Sequence, residues 1–107
     1  MRKGGKAGRL HGGQTMQGGV PGDHWYKYHD GMLRNGLTVF TYCLSHAGPA
    51  DGGFGCIPGS HKSNFTVEIP DEVRTYQRTA HYVRQVEAEA GDLIIFTEAL
   101  VHGTMEW

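Results

Sequence analysis

Glycine and proline interrupt every apolar run in this chain well before it reaches the length of a stable helix. The 107 residues include 17 glycines and 4 prolines. The apolar runs between them, at residues 37–44 and 93–96, are short and rich in β-branched and aromatic side chains. Runs of this kind, bounded by turn residues, predict strands. A chain of this length forms one domain at most, and we predict a mainly β one.

Further segments follow from local pattern. Residues 82–88 alternate apolar and polar side chains, which predicts a half-exposed strand, whereas the near-continuous apolarity of residues 37–44 and 93–96 predicts strands buried on both faces. Pro70, followed by two acids, predicts the start of a helix that runs to about residue 80. Turns are predicted at Asp30-Gly31, Pro58-Gly59 and Gly91-Asp92, a loop at 46–53 and a short strand at 54–57.

This set of short strands, glycine-rich turns and one short helix predicts part of a double-stranded β-helix, the cupin-like jelly roll. About five strands are recognisable, whereas a jelly roll usually has about 8. We therefore expect residues 1–107 to form a single incomplete domain. Residues 1–22 are expected to be irregular and glycine-rich, apart from a strand end at residues 9–11, and residues 23–107 are expected to supply the jelly-roll strands.

Composition excludes several classes of partner. Lys and Arg number 10 against 11 Asp and Glu, for a net charge of -1, so the basic surface typical of nucleic-acid and membrane binding is absent from the sequence. No apolar run approaches the roughly 20 residues of a membrane span, and no signal peptide is recognisable. We expect a cytoplasmic protein in which Cys43 and Cys56 are buried thiols, in preference to a disulfide or a metal site.

Seven histidines in so short a chain point to metal chemistry. A mononuclear iron oxygenase holds its metal with two imidazoles and usually one carboxylate on one face, which leaves the other positions open. On a jelly roll the two histidines come from strands that are distant in sequence. His102 follows the predicted strand 93–96 and precedes Gly103, where the backbone can be approached closely, and is our candidate for the distal ligand.

Residues 57–62 (Ile-Pro-Gly-Ser-His-Lys) and the segment from Gly91-Asp92 through Phe96 to His102-Gly103 resemble two segments of the phytanoyl-CoA dioxygenase family. With the strand before them, the matching regions cover about two-fifths of the chain. The resemblance implies a dioxygenase that uses Fe(II), 2-oxoglutarate and O2 to hydroxylate a C–H bond of a small-molecule substrate. It implies no catalytic residues beyond the metal ligands. His61 is then part of a turn in which Ser60 binds backbone donors, and not a metal ligand.

The proximal ligand stays open. The family pattern has His-x-Asp or His-x-Glu before the strand at 37–44, and the sequence contains no such triplet. His11 is favoured because it ends a predicted strand; His29 and His24 are the alternatives. Gly13 stands where the acid is expected, as in related halogenases that bind halide in the vacant position. Alternatively, a displaced acid completes the site, for which the candidates are Asp23, Asp30 and Asp51.

On the central strand, Thr41 is expected to contact the co-substrate. The resemblance also implies an arginine roughly ten residues after the distal histidine, which would hold the far carboxylate of 2-oxoglutarate as a two-pronged ion pair. The sequence ends at Trp107, before that position, so we expect a fragment. The alternatives to the oxygenase are an inactive jelly-roll module that binds a small molecule, a halogenase-type variant, and a metal-dependent cupin-like isomerase. Neither the substrate nor the oligomeric state is predicted.

Overall fold

The computed structural model describes residues 6–12, 26–49, 51–63 and 68–106. The candidates His24, Asp23 and Gly13 lie outside these ranges. The described residues contain eight strands, one short α-helix and a 3-10 turn at Ser60–Lys62. The elements are β1 Gly8–His11, β2 Tyr26–His29, β3 Met32–Asn35, β4 Thr38–Tyr42, β5 Gly53–Cys56, α1 Asp71–Arg74, β6 Arg84–Gln85, β7 Leu93–Thr97 and β8 His102–Met105. The predicted mainly β fold with one short helix is confirmed, with more strands than the sequence revealed.

Strands that are distant in sequence lie side by side. One sheet has the order β1-β8-β5-β6, β4 pairs with β7, and β2 pairs with β3. All pairs are antiparallel. The chain thus passes repeatedly between the four-stranded sheet and the β4–β7 ladder, as in a jelly roll. β1 lies within residues 1–22, and it ends at His11 as predicted.

The turn predicted at Asp30-Gly31 joins β2 to β3. Both residues have positive φ, 52° for Asp30 and 73° for Gly31. Two left-handed residues in succession match the twist of a two-residue hairpin, and Asp-Gly is among the few pairs that adopt this conformation readily. The hairpin therefore follows from local sequence.

The prediction that β4 and β7 are buried on both faces is wrong. Phe40 and Ile95 are paired across the ladder, and each is 58% exposed. Their neighbours Thr41 and Ile94 point to the opposite face and line a partly open cavity. Successive side chains on a strand alternate between faces, and continuous apolarity cannot tell whether both of those faces are covered.

The helix is also shorter than predicted, because α1 ends at Arg74 and not near residue 80. Thr75 caps it, and Tyr76 then takes a left-handed conformation with φ 60°, which stops helix propagation. The strand predicted at 82–88 is reduced to β6, with one further bridge between Ala47 and Ala88.

The hydrophobic core lies between α1 and one face of the four-stranded sheet. Its buried members are Leu10, Ile69, Val73 and Val101. Leu10 and Val101 each precede a histidine, and adjacent strand residues point to opposite faces. Burial of Leu10 therefore turns His11 toward the other face of the sheet.

Truncation of Leu10 tests this arrangement. Leu10 is fully buried, so Leu10→Ala is expected to lower the free energy of unfolding by about 2–5 kcal/mol, as large-to-small core substitutions do. Leu44→Ala is the matched control, because Leu44 is 91% exposed, and its effect should stay within about 0.5 kcal/mol. Urea unfolding of both variants measures the difference; equal effects would contradict the proposed core.

The loop at 46–53 is fastened to the segment before β7. His46 Nδ1 lies 3.0 Å from Glu89 Oε2, and its Nε2 lies 3.7 Å from Asp51 Oδ2. The hydrogen bond with Glu89, followed by the charges of Glu89 and Asp51, raises the pKa of His46. Beside it, Ala47 and Ala88 exchange backbone hydrogen bonds.

This geometry predicts a pH dependence of stability. Because the folded-state pKa of His46 lies above its unfolded value, its contribution is complete below the unfolded pKa and is lost as pH rises through the folded pKa. The difference in unfolding free energy between the wild type and His46→Gln should therefore shrink between about pH 5 and pH 8. His81→Gln, another exposed histidine, is the control; a pH-independent His46 difference would refute the pairing.

Candidate metal centre

The pairing of β1 with β8 places two histidines side by side. His11 and His102 are opposite each other in the register, and their ring centroids are 4.3 Å apart. His102 is only 6% exposed, whereas His11 is exposed. The two candidates, separated by most of the chain, are thus brought together by a single strand pair.

A carboxylate joins them from a position that no sequence pattern indicated. Glu98 lies in the turn between β7 and β8, and its Oε1 is 3.7 Å from His102 Nε2. One ligand atom from each of His11, Glu98 and His102 lies within 4.8 Å of the other two. Among the described residues, no other group of three histidine, cysteine or acidic side chains has this spacing. We call these three residues the metal trio.

The turn that carries Glu98 is held by its own backbone. The Glu98 N–H donates to Leu37 O at 3.0 Å, and the Leu100 N–H donates to Thr97 O at 2.8 Å. The Glu98 side chain is 15% exposed. These bonds fix the acid beside His102 without requiring a helix.

The orientation of His102 leaves one nitrogen for a ligand. Its Nδ1 lies 2.8 Å from Leu100 O, and a carbonyl oxygen only accepts, so Nδ1 carries the hydrogen and donates it. Nε2 then presents a lone pair toward Glu98. A histidine held through its other nitrogen by a backbone carbonyl is the usual arrangement for metal-binding imidazole. The rings of Phe54 and Phe96 flank His102, with centroids at 5.9 and 4.6 Å.

Gly12 allows the close approach of β1. Its φ is +87°, and a Cβ at this position would lie 2.5 Å from Leu100 O and 2.8 Å from Glu98 O. Gly103 has a similar role, because a Cβ there would overlap the Tyr76 hydroxyl and lie 2.6 Å from Gly8 O. Gly103 was predicted to let a ligand approach the backbone; it lines the cavity beside the histidines, and its lack of a side chain also makes room for Tyr76 and β1.

The chemistry of the metal trio fits a divalent iron ion. Two imidazoles and one carboxylate are the donor set of the non-haem Fe(II) oxygenases.

A partly open cavity of about 390 Å³ lies beside the histidines. We call it the first cavity. Thr41, the predicted co-substrate contact, lines it together with His11, His102 and Thr104, and its apolar walls include Phe54, Phe96 and Ile94. No lysine or arginine of the described ranges lines it. Its volume is in the range of ordinary small-molecule sites.

The other candidate residues lie elsewhere. His29 is paired with Asp30 at the tip of the β2–β3 hairpin, where both side chains are exposed, and Asp51 is paired with His46. Neither acid nor His29 belongs to the metal trio. Cys43 and Cys56 carry free thiols; Cys56 is buried, as predicted, whereas Cys43 is only partly buried.

His61 lies in the 3-10 turn and is not part of the metal trio. Its neighbour Ser60 accepts a hydrogen bond from the Val101 N–H at 2.8 Å. The prediction that Ser60 binds a backbone donor is confirmed, and the donor directly precedes His102.

Glu98 was missed because the acid was sought near the first histidine. The available signal was the spacing Glu-x-x-x-His directly after an apolar strand. That spacing places two side chains on one face within a single strand or helix, but Glu98 lies in a turn outside β8, and it is this turn that brings its carboxylate to His102.

Comparison with known proteins relates the chain to one enzyme family. The family model described as phytanoyl-CoA dioxygenase (PhyH) matches residues 15–106. HygX from Streptomyces hygroscopicus, in a crystal structure with nickel, 2-oxoglutarate and hygromycin B, is 30% identical, with a TM-score of 0.72 over 94% of this chain and 44% of that chain. Apo HygX is 28% identical, with a TM-score of 0.76 over 98% of this chain and 48% of that chain. Iron-bound HygX is 30% identical, with a TM-score of 0.65 over 98% of this chain and 48% of that chain.

The chain therefore spans less than half the length of these structures. No curated protein matches it significantly. Among the described helices, none is long and apolar enough to cross a membrane.

Gly12 provides a sharp test of the geometry. Gly12→Ala should lower the free energy of unfolding by more than the roughly 1–3 kcal/mol of backbone strain at positive φ, because its Cβ would also meet two carbonyl oxygens. Gly31→Ala is the matched control, since Gly31 has φ +73° but nothing within 4 Å of the added Cβ. Urea unfolding and Ni(II) titration are the measurements. Equal losses of stability, with unchanged Ni(II) affinity, would contradict the close approach.

Proposed function

The chain belongs to the phytanoyl-CoA dioxygenase family, and we propose that it carries the iron centre of an Fe(II)- and 2-oxoglutarate-dependent oxygenase that hydroxylates a small molecule. The observation that carries this proposal is the metal trio, whose ligand atoms lie within 4.8 Å of one another at the edge of the first cavity. A cytoplasmic location remains a prediction.

His11, Glu98 and His102 would hold the iron through two imidazole nitrogens and one carboxylate. When bound, Fe(II) supplies the activation of O2 that is coupled to oxidative decarboxylation of 2-oxoglutarate. The protein contributes orientation and exclusion of water. The bond between His102 Nδ1 and Leu100 O keeps Nε2 directed at the metal position, and the rings of Phe54 and Phe96 keep one side of the imidazole dry.

The first cavity is the proposed site of 2-oxoglutarate. Its apolar walls suit the methylene chain, and among its hydroxyl-bearing residues we propose Thr41 and Thr104 as the groups that bind carboxylate oxygens. Thr104 follows His102 by two residues on β8, so both side chains point to the same face of the sheet.

Thr41→Val tests this assignment. Removal of a hydroxyl that donates to a carboxylate is expected to cost about 1.5–3 kcal/mol, or roughly 10- to 100-fold in the affinity for 2-oxoglutarate. Thr38→Val is the matched control, because Thr38 lies on the opposite face of the same strand. Calorimetric titration of the Ni(II)-loaded protein with 2-oxoglutarate gives both affinities. A similar affinity for the two variants would show that Thr41 does not contact the co-substrate.

The proposal as a whole is tested by anaerobic titration with Fe(II) and 2-oxoglutarate, followed by the visible charge-transfer band. His102→Ala and Glu98→Ala should abolish or shift the band, because each removes one ligand. His81→Ala, an exposed histidine outside the metal trio, should leave it unchanged. If the wild type shows no band and behaves like His102→Ala, the protein is better described as a jelly-roll binding module.

The halogenase alternative loses its main support. It was motivated by the lack of an acid beside His11, and Glu98 supplies a carboxylate to the same group. If chloride changes the charge-transfer band of the wild type, the halogenase alternative is restored. If chloride changes the band only in Glu98→Ala, the result supports the Glu98 carboxylate as a metal ligand.

A further inference from the structure

Tyr76 follows the cap residue of α1 and has a left-handed backbone, with φ 60°. A residue at this position after a helix commonly takes that conformation, and it is usually glycine because a Cβ is unfavourable there. Here the position carries a tyrosine, whose ring packs against the hydrophobic core. The chain therefore accepts an unfavourable backbone conformation that places this ring beneath the four-stranded sheet.

The hydroxyl group of Tyr76 is buried without a hydrogen-bond partner among the residues that the structure describes. Burial, with a smaller contribution from Cys56, raises the pKa of Tyr76 to about 12, so the hydroxyl keeps its proton at neutral pH. Burying an unpaired hydroxyl is unfavourable, and a phenylalanine would fill the same part of the core without it. Burial of apolar surface alone therefore does not account for a tyrosine at this position.

The hydroxyl lies against a pair of glycines. Gly55 of β5 and Gly103 of β8 are opposite each other in the register. A Cβ at Gly103 would overlap the Tyr76 oxygen, and a Cβ at Gly55 would lie 3.7 Å from it. The two glycines leave a gap in the side-chain layer on the core face of the sheet, and the Tyr76 hydroxyl fills part of this gap.

The other face of the same two strands carries one histidine of the metal trio. Phe54 and His102 directly precede Gly55 and Gly103, so their side chains point away from Tyr76. Both line the first cavity, and their rings stack with centroids 5.9 Å apart and planes inclined by 19°. A displacement of the backbone at Gly103 would therefore also move His102, because the two residues are consecutive.

Arg74, two residues before Tyr76, contacts the other strand that carries a histidine of the metal trio. Its side chain is only 13% exposed, and its Nη1 donates to Leu10 O at 3.4 Å. Leu10 directly precedes His11. The turn at the end of α1 thus contacts both β1 and β8 from the core face, at residues adjacent to His11 and His102.

We propose that Tyr76 is a positioning residue of the metal trio: its hydroxyl acts as a spacer beneath Gly103 and so fixes the position of His102. Protein interiors are close-packed, so removal of the oxygen atom would leave a gap into which β8 relaxes. The distances from His102 to Phe54 and to the other two proposed metal ligands would then change. The effect on metal binding rests on the function proposed above; the spacing of β8 does not.

NMR spectroscopy of the metal-free protein tests the spacing. Tyr76→Phe removes only the hydroxyl, and it should shift the ring resonances of His102 and Phe54 and alter the nuclear Overhauser effect between the two rings. The urea midpoint should equal that of the wild type or exceed it, since no hydrogen bond is lost. Unchanged His102 and Phe54 resonances overturn the proposal, whatever the urea midpoint.

Tyr82→Phe is the matched control for this measurement. The Tyr82 ring meets His81 edge to face, with centroids 5.3 Å apart, and it does not line the first cavity. Loss of its hydroxyl should leave the His102 and Phe54 resonances where they are in the wild type. Equal shifts in Tyr82→Phe and Tyr76→Phe would show that the response is not specific to the glycine pair and would overturn the proposal.

Metal binding gives a second readout. Tyr76→Phe should bind Ni(II) about tenfold more weakly than the wild type, the lower end of the losses caused by substituting residues that orient metal ligands. It should also shift the visible bands of bound Co(II), which report the geometry of the ligands. Tyr82→Phe should match the wild type in both measurements. Wild-type affinity together with a wild-type Co(II) spectrum in Tyr76→Phe overturns the proposal.

Incorporation of 4-fluorophenylalanine in place of Tyr76 separates spacing from hydrogen bonding. The fluorine atom is similar in size to the hydroxyl oxygen but has no hydrogen to donate. This variant should therefore have a Ni(II) affinity and a Co(II) spectrum close to those of the wild type. An affinity as low as that of Tyr76→Phe overturns the role as a spacer.

The two proposals fail in different measurements. If Tyr76→Phe shifts the His102 and Phe54 resonances but the wild type binds no metal, the spacing of β8 is supported and the iron centre is contradicted. If the wild type and Tyr76→Phe bind metal equally well, with equal spectra, only the proposal about Tyr76 is contradicted.

Discussion

The antiparallel contact between β1 and β8 is the interaction on which the rest of the site depends. It places His11 opposite His102 and brings β1 so close to the turn before β8 that only glycine fits at residue 12. The same turn carries Glu98, so one strand pair and one turn assemble three donor groups from the two ends of the described chain. The close approach restricts the backbone of β1 and so lowers its conformational entropy. Burial of the core beneath β1 and β8 has to offset this unfavourable contribution to the free energy of folding.

The hydrophobic core and the metal trio lie on opposite faces of β1 and of the segment that leads into β8. Leu10 and Val101 are buried against α1, and the next residue of each segment is a histidine of the metal trio. Because side chains alternate along a strand, the residues that stabilise the fold also set the direction of the histidines. Ser60 reinforces this coupling from outside the strand pair through its bond to the Val101 N–H. We therefore expect substitutions in this part of the core to change both the free energy of unfolding and the geometry of the metal trio.

Phe96 links the metal trio to the first cavity. Its ring packs against Phe54 and His102, and it contributes to the wall of the first cavity. The proposed co-substrate would therefore contact an aromatic side chain that also packs against one of the proposed metal ligands.

The sequence by itself determined the features that depend on local chemistry. It indicated the jelly-roll class, the Asp30-Gly31 hairpin, the role of Ser60 and the candidates His11 and His102, because strand patterning, positive φ and short-range hydrogen bonds are encoded within a few residues. Tertiary structure decided the rest. The outer faces of β4 and β7 are exposed because apolarity alone does not specify what covers a strand. Glu98 joins the histidines because the turn before β8 and the close approach of β1 bring its carboxylate to them, and no periodicity in the sequence records that proximity.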